Sequence, residues 1–547
     1  MAPRPVWIVL LALLAWTPSV WRCGFLMDDR ELLLENPVVA GSLPWSAAFG
    51  RDYFGHVQDA GKWRPLATLS LRLGRELGGE AASGQHLANV LLHALVVALA
   101  AFVLRRVAAR EARWPWFGLA LFAVHPALAD AVAWISGRTV MVAAAAGLAG
   151  AAVLVRALER GWRAPALATV SLAGVLLAAM GREDGALFAL VYPALALASS
   201  RRAARACALG AALGLGAWLV ARGHVLDGAF PAATHDALAR ASPLRRAGVG
   251  GLALLEALRV AVLPFDHSPL VRAEALLARA PRPWPLAAAL GWLAWASLAA
   301  GGPLAAPRRP AGWSALLAAV ALAPALQLVP NSTVFAPRYI YLPLLFGAPL
   351  LDALGQRLPA RRPLALATLC ALVALAWART GVYAERGAYR GEILRHDPAH
   401  APSWNELGLW REDAGDEAGA LAAWRHALAL DPGYSRPWSN LGRVQLARGE
   451  LEEAERSLRN ALCNGPRNAL AHSNLAGLCL RLGADEEAAR LYARAAELAP
   501  GFAAAWRGLG NARLRLGDSR GAATALRRAL ELDPDIPHAR ELLERAE

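Results

Sequence analysis

Two adjacent carboxylates, Asp28-Asp29, follow a hydrophobic stretch and open a polar segment that continues through Glu35-Asn36-Pro37. Carboxylates at the edge of an apolar span are costly unless they do something. Such a pair also tends to push one of its pKa values up, which suits a general base. Arginines stand among similarly apolar surroundings: Arg64 in Trp63-Arg64-Pro65-Leu66, Arg138, Arg182 in Arg182-Glu183-Asp184, and Arg338 in Arg338-Tyr339-Ile340-Tyr341. Histidines accompany them. His86, Asn89 and His93 share one helix face, and His125-Pro126 precedes Asp130 and Trp134. A guanidinium fork matches phosphate better than an ammonium does. The set reads as a base beside a phosphate-binding cluster, with Asp28 and Asp29 as candidate base and orienting partner. Arg64, His93, His125, Arg138, Arg182, Glu183 and Arg338 are the candidate phosphate-side residues. No His, Asp, Glu or Cys spacing resembles a metal site, so no metal is expected.

The elements that must position these residues are hydrophobic helices. The chain is 56% hydrophobic and 18% charged over 547 residues, too apolar for an ordinary soluble enzyme. Stretches near 5–21, 86–104, 115–135, 139–156, 165–181, 184–199, 206–222, 248–264, 284–300, 312–329, 338–354 and 363–379 approach the length of a membrane span. About 11–13 spans are therefore expected, and none after residue 380. A cleaved signal peptide over 1–22 is disfavoured by the bulky Trp21-Arg22 before Cys23 and by the spans that follow. The five cysteines, Cys23, Cys207, Cys370, Cys463 and Cys479, form no disulfide or CxxC pattern.

The net charge of +14 lies in the membrane half, where residues 1–394 carry 37 of the 57 basic groups and 21 of the 43 acidic ones. Its clusters flank hydrophobic stretches: Arg105-Arg106, Arg110, Arg113, Arg201-Arg202, Arg205, Arg308-Arg309 and Arg361-Arg362. That is the positive-inside pattern and needs no nucleic acid. With Met1–Arg4 inside, the loop 22–85 and the segments 125–138, 181–184 and 331–341 fall outside, on one face. Arg357–Arg362 inside puts the C-terminal part outside as well. Twelve spans conflict with that parity, and the conflict traces to 206–264, where Arg240, Arg245 and Arg246 mark no clean side.

Beyond residue 397 the pattern changes. Pro398, Pro432, Pro466, Pro500 and Pro534 recur every 34 residues, the mark of a helical solenoid. Within the repeats stand Trp404, Leu407-Gly408, Ala420, Trp424 and Ala427; Trp438, Leu441-Gly442, Ala454 and Ala461; His472, Leu475-Ala476, Ala488, Tyr492 and Ala495; and Trp506, Leu509-Gly510, Ala522 and Ala529. These match the tetratricopeptide-repeat (TPR) family, as repeats 401–434, 435–468, 469–502 and 503–536 with a capping helix to 547. The resemblance implies a concave groove for a protein or peptide partner.

The order Asp28-Asp29, Glu35-Asn36-Pro37, Trp63-Arg64-Pro65-Leu66, His86, Asn89 and His93 resembles the opening of membrane glycosyltransferases of the GT-C fold, in the branch with C-terminal TPRs. The stretch from His125-Pro126 through Asp130, Trp134 and Ile135-Ser136-Gly137-Arg138 is similar to that branch, as is Ala336-Pro337-Arg338-Tyr339-Ile340-Tyr341-Leu342-Pro343. Asp130 stands where a glutamate is expected, Asp184 where a small or hydroxyl residue is, and Pro337 where an acid is. The resemblance implies an all-α, polytopic GT-C-like domain over 1–383, a linker at 384–400 and the TPR solenoid over 401–547. It also implies transfer of a sugar, mannose in the relatives, from a polyprenyl-phosphate carrier to a protein hydroxyl, with no cofactor. A non-catalytic membrane scaffold with TPRs is the alternative; a transporter fits less well, because the polar residues sit at span ends. The Arg- and Ala-rich composition suits a bacterial inner membrane with the TPRs in the periplasm.

Overall fold

The computed structural model describes residues 6–54, 62–108, 116–197, 199–226, 241–280, 283–305, 310–322, 333–355 and 361–547. The chain divides into two compact units, Met1–His396 and Asp397–Glu547. Among the described residues both are helical, and one isolated β-bridge joins Val271 to Phe335.

The first unit contains α1 (Val6–Trp16), α2 (Pro18–Arg22), α3 (Pro65–Gly78), α4 (Ala82–Ala108), α5 (Trp116–Val124), α6 (Ala129–Val132), α7 (Arg138–Glu159), α8 (Ala164–Gly181) and α9 (Phe188–Leu197). It continues with α10 (Arg201–Val225), α11 (Pro243–Val262), α12 (Ala273–Arg279), α13 (Trp284–Ala305), α14 (Pro310–Ala321), α15 (Tyr341–Gly355), α16 (Arg361–Thr380) and α17 (Arg386–His396). Among the described residues five helices are long and apolar enough to cross a membrane: Ala82–Arg106, Arg138–Glu159, Ala164–Gly181, Arg201–Val225 and Pro363–Tyr383. This is fewer than the dozen stretches in the sequence. Val6–Arg22 and Trp284–Ala300 are apolar but shorter. Residues 184–199 and 338–354 each begin as a 3₁₀ turn before becoming α-helical. Part of 312–329 lies outside the described residues, as do Met1–Arg4, Arg110, Arg113, Arg240 and Arg308-Arg309.

The stretch 115–135 is the informative failure. Hydropathy read it as one span, but α5 ends at Val124, because Pro126 cannot continue the helical hydrogen bonds. A 3₁₀ turn (Pro126–Leu128) and the four-residue α6 follow. Residues 124 to 144 are all buried, so this irregular backbone meets protein and not lipid.

Helices α8 and α10 lie against each other through Gly210 and Gly214, where a Cβ would come within 2.0 and 2.5 Å of the carbonyl oxygens of Ala168 and Leu172. Two small residues four apart let helix backbones approach this closely. The segment expected as a linker at 384–400 is largely helix α17, with Tyr389, Ile393 and Leu394 buried in the first unit. It is fixed by the Arg379–Glu392 pair at 2.6 Å and by Arg395 on Asp266 at 2.7 Å.

The second unit comprises α18 (Ala401–Asp413), α19 (Glu417–Leu430), α20 (Ser435–Arg448), α21 (Leu451–Asn464), α22 (Ala469–Leu482), α23 (Asp485–Leu498), α24 (Ala503–Arg515), α25 (Ser519–Leu532) and α26 (Ala539–Ala546). The 34-residue period has a physical cause visible in every repeat. The indole N–H groups of Trp404, Trp438 and Trp506 donate to the carbonyls of Pro398, Pro432 and Pro500 at 2.8–3.0 Å. His472 makes the same bond to Pro466, and Arg540 to Pro534. Each first helix then stops at a left-handed glycine, Gly415, Gly449, Gly483 or Gly517, with φ near +80°.

Candidate functional site

The site begins in a tight turn. Asp29 N–H donates to the Leu26 carbonyl (2.8 Å), and Leu26 N–H donates back to Asp29 Oδ2 (2.9 Å). Between them Met27 takes φ +44°, a left-handed conformation that costs a side-chain-bearing residue about 1–3 kcal/mol. The turn fixes what each carboxylate can do. Asp29 is fully buried and its second oxygen accepts from Ser136 N–H at 2.9 Å. Burial pushes the Asp29 carboxyl well above its ordinary pKa and the neighbouring Asp28 pushes it further, against the two backbone N–H groups and Arg138. Asp28 is only half-buried; its Oδ1 accepts from the Ser136 hydroxyl at 3.1 Å. Its other oxygen accepts no hydrogen bond from the described residues.

The loop that carries the pair folds on its own small core of Leu32, Leu33, Val39, Tyr53, Ala67, Leu71 and Ile135. Asn36 is part of that construction. Its Oδ1 caps Val38 and Val39, and its amide donates to the Tyr53 carbonyl at 3.0 Å.

From Asp28 the wall continues residue by residue. Ser136 is two residues from Trp134, whose ring lies 5.1 Å from the Arg338 guanidinium. Arg338 pairs with the fully buried Asp130 at 3.0 Å, and its backbone N–H donates to the same oxygen at 3.2 Å. The Tyr339 ring lies between two cations, Arg338 at 5.7 Å and Arg182 at 5.8 Å. Arg182 reaches Asp184 at 3.3 Å. Next to it, Glu183 accepts from Arg64 at 2.7 and 3.1 Å and from Arg222 at 3.2 Å. Arg64 lies 5.6 Å from the Tyr53 ring, and Tyr53 feels the charges of both Asp28 and Arg64. These contacts gather Asp28, Arg64, Glu183, Arg182 and Arg338 into one neighbourhood, a ring in which Ser136–Trp134 and Glu183–Asp184 are joined along the chain rather than by a contact. Lys62, the chain's only lysine, stands within electrostatic reach of Arg64, Asp28, Arg338 and Glu183.

The structure brings Asp28, Asp29, Arg64, Arg182, Glu183 and Arg338 together. Three other candidates do different work. His93 is buried in α4, with one nitrogen 2.8 Å from the Tyr341 hydroxyl and the other 3.1 Å from the Ala123 carbonyl, so it holds helices together and has no nitrogen for phosphate. His125 is also buried, with Nε2 3.0 Å from the Ala261 carbonyl and Nδ1 without a hydrogen-bond partner among the described residues. Arg138 is 1% exposed and donates to Asn89 Oδ1 and to the carbonyls of Ser70 and Gln85 at 2.6–2.9 Å. It braces α3 and α4 beneath Asp29 and cannot present its fork to a ligand. Their polarity in the sequence was real, but its partners lie inside the fold. Sequence reasoning missed Tyr53 and Arg222, which sit in a loop interior and at the end of an otherwise apolar helix. Arg222 could have been found from its place at the close of the 206–222 stretch.

The repeat unit resolves first in comparison with known proteins. The tetratricopeptide-repeat family pattern matches residues 412–462, 439–503 and 503–536. The C-terminal part of the chain is a TPR domain. Among solved structures, the MamA protein is 22% identical, covering 27% of this chain and 81% of that one at TM-score 0.23. YrrB, described as a TPR protein with an unusual peptide-binding site, is 18% identical, covering 36% and 97% at TM-score 0.24. Among curated proteins the chain is distantly homologous to membrane proteins with TPRs. The protein O-mannosyl-transferase Tmtc2 of Drosophila melanogaster is 41% identical over 128 residues, which is 22% of this chain and 13% of that protein. TMTC2 of Homo sapiens is 35% identical over 118 residues, 21% and 14% respectively. The match thus spans about a seventh of the length of these relatives.

Proposed function

We propose that the chain is an integral-membrane glycosyltransferase that moves a sugar from a polyprenyl-phosphate carrier to a protein hydroxyl, with mannose as the sugar the relatives' names favour. One observation carries this reading. A carboxylate with an uncommitted oxygen, Asp28, shares a ring of contacts with three arginines that each keep N–H groups beyond their ion pairs.

The chemistry divides among named groups. Asp28 takes the proton of the acceptor hydroxyl as its oxygen attacks the anomeric carbon. The bond from that carbon to the phosphate oxygen breaks, and its electron pair leaves with the polyprenyl phosphate. Arg338 and Arg182, held over the Tyr339 ring, and Arg64 offset the charge that grows on the departing phosphate. Asp29 is assigned the supporting role, since its side chain is fully buried and each of its oxygens already accepts a backbone N–H. It positions Asp28 through the turn and through Ser136. The TPR unit supplies the acceptor, either by holding it in the groove or by holding a partner that presents it. The membrane lies around the apolar helices, with the site and the TPR unit on its exterior face, the periplasm of a bacterial cell.

The test is transfer by the purified chain in proteoliposomes, from polyprenyl-phosphate-linked mannose to a Ser- and Thr-containing peptide, read by mass spectrometry. Asp28→Asn is expected to lower the rate about 10²- to 10⁴-fold, the usual worth of a general base. An Asp28→Asn chain that transfers at the unaltered rate would refute the assignment. No transfer from any polyprenyl-linked sugar by the unaltered chain would leave the fold as a membrane-anchored TPR scaffold.

A further inference from the structure

The end of the helices opposite the carboxylates has a different character. Arg105 and Arg106 close α4, Arg156 closes α7, and Arg160 and Arg163 lie in the turn to α8. Arg201, Arg202 and Arg205 open α10, which runs in the same direction as α8, as the Gly210–Ala168 and Gly214–Leu172 approaches require. Arg106 lies 3.4 Å from Glu159 on α7, and the Arg106 and Arg156 guanidiniums lie 3.7 and 5.2 Å from the Phe102 ring. All these termini therefore share one end of a four-helix group. Among the described residues of these segments, eight arginines meet one carboxylate, Glu159. Seven of the eight are exposed. Around the ring of Asp28, by contrast, Arg64, Arg182, Arg222 and Arg338 each have a carboxylate partner.

Uncompensated guanidiniums repel one another, and packing against Phe102 keeps two of them together. Immediately beyond them the helix flanks become apolar and exposed: Val153 is 48% exposed, Leu209 61% and Leu213 55%. Trp162, 43% exposed in the same turn as Arg160 and Arg163, is the residue type that settles at headgroup depth. Phosphate-matching forks above bare aliphatic surface call for a ligand with a phosphate at one end and hydrocarbon at the other.

We infer that this arginine rim is a binding surface for anionic phospholipids, taking headgroup phosphates along Arg106, Arg156, Arg160 and Arg205 and laying acyl chains along Val153 on one side and Leu209 and Leu213 on the other. Each arginine near a headgroup is worth about fivefold, so removing three should weaken binding about 100-fold. The inference does not depend on the sugar-transfer reading.

The experiment is native mass spectrometry of the full chain in detergent, titrated with phosphatidylglycerol, phosphatidylcholine or inorganic phosphate. Retention of phosphatidylglycerol at about 100-fold lower concentration than phosphatidylcholine is expected, with phosphate a poor competitor. In the triple variant Arg156→Gln, Arg160→Gln, Arg205→Gln, the two lipids should be retained alike. Equal retention of the two lipids by the unaltered chain overturns the proposal, and that comparison needs no variant to fold. So does undiminished phosphatidylglycerol preference in the triple variant. Efficient displacement by inorganic phosphate would reduce the rim to a general anion site and overturn it also.

Discussion

Glu183 offers the sharpest quantitative check on the site, because two arginines from different helices converge on it. Arg64 precedes α3 and places two N–H groups on Oε2; Arg222, in the last turn of α10, places one on Oε1. Burial pushes the Glu183 carboxyl up, but the charge and hydrogen bonds of Arg64 and the charge of Arg222 outweigh it and hold the group down at about 2, against an ordinary 4.5. A depression of that size corresponds to about 3.4 kcal/mol at roughly 1.36 kcal/mol for each unit. The side chain is 32% exposed, and solvent screening reduces the usable part to about 1–2 kcal/mol. The sign follows from linkage. A carboxyl depressed in the folded state stabilises the fold above its unfolded pKa of 4.5, and that contribution is lost as pH falls toward about 2. Glu183→Gln should therefore lower the thermal midpoint by about 1–3 °C at pH 7, followed by tryptophan fluorescence in detergent. The deficit should shrink below pH 4.5 and be small near pH 2. A deficit that stays constant with pH would mean that shape, not charge, matters here. No deficit at pH 7 would mean that water already screens the triad completely.

Two further outcomes follow from burial and packing. Asp130→Asn removes the charge that faces Arg338 while keeping the volume; breaking a buried pair from one side costs about 3–5 kcal/mol, so hydrogen exchange around Pro126–Arg138 should rise markedly, and unchanged exchange would contradict the pairing. Gly442→Val puts branched carbons where a bare Cβ already comes within 2.5 Å of Leu458, and overpacking of that kind costs about 1–3 kcal/mol; exchange should quicken in α20 and α21 and stay unchanged in α4 and α7, whereas a uniform change would show that the two units unfold together.

The repeat unit was legible in the sequence because its period is enforced locally. A tryptophan reaching back six residues to a proline carbonyl needs nothing from the rest of the chain, and the same bond survives when histidine or arginine takes the position. The membrane half was legible in class but not in count. Hydropathy registers apolar residues, and a broken segment buried in protein, such as 115–135, is as apolar as a span. What distinguishes it is Pro126 and the hydrogen bonds it withholds. Asp28, Asp29, Arg64, Arg182 and Arg338 were legible as polar residues in apolar surroundings, and the proposed site is built on them. It was misread at His93, His125 and Arg138, since a polar residue bracing helices and one awaiting a ligand look identical until their partners are known. Arg222 was the reverse case, a functional neighbour hidden at the end of an apolar run.

The two ends of the α4, α7, α8 and α10 group impose different conditions on the same residue type. At the end bearing Asp28, each arginine of the ring has a carboxylate partner, so its geometry is set before any ligand arrives. Preorganised cations of that kind lower the reorganisation a departing phosphate would demand. The pairing also has a cost. A carboxylate beside an arginine competes with phosphate for the same N–H groups: Glu183 takes two from the Arg64 fork, and Asp130 takes one from the Arg338 fork. The shorter Asp130, where a glutamate was expected, therefore draws Arg338 toward the protein and away from the ligand. On this argument Asp130→Glu would let the Arg338 fork advance, so the substitution the resemblance calls natural should tighten donor binding where the fold can accommodate the extra methylene. At the opposite end Glu159 is the one competing carboxylate among the described residues of these segments, and it reaches Arg106, so the other arginines have no such bond to give up.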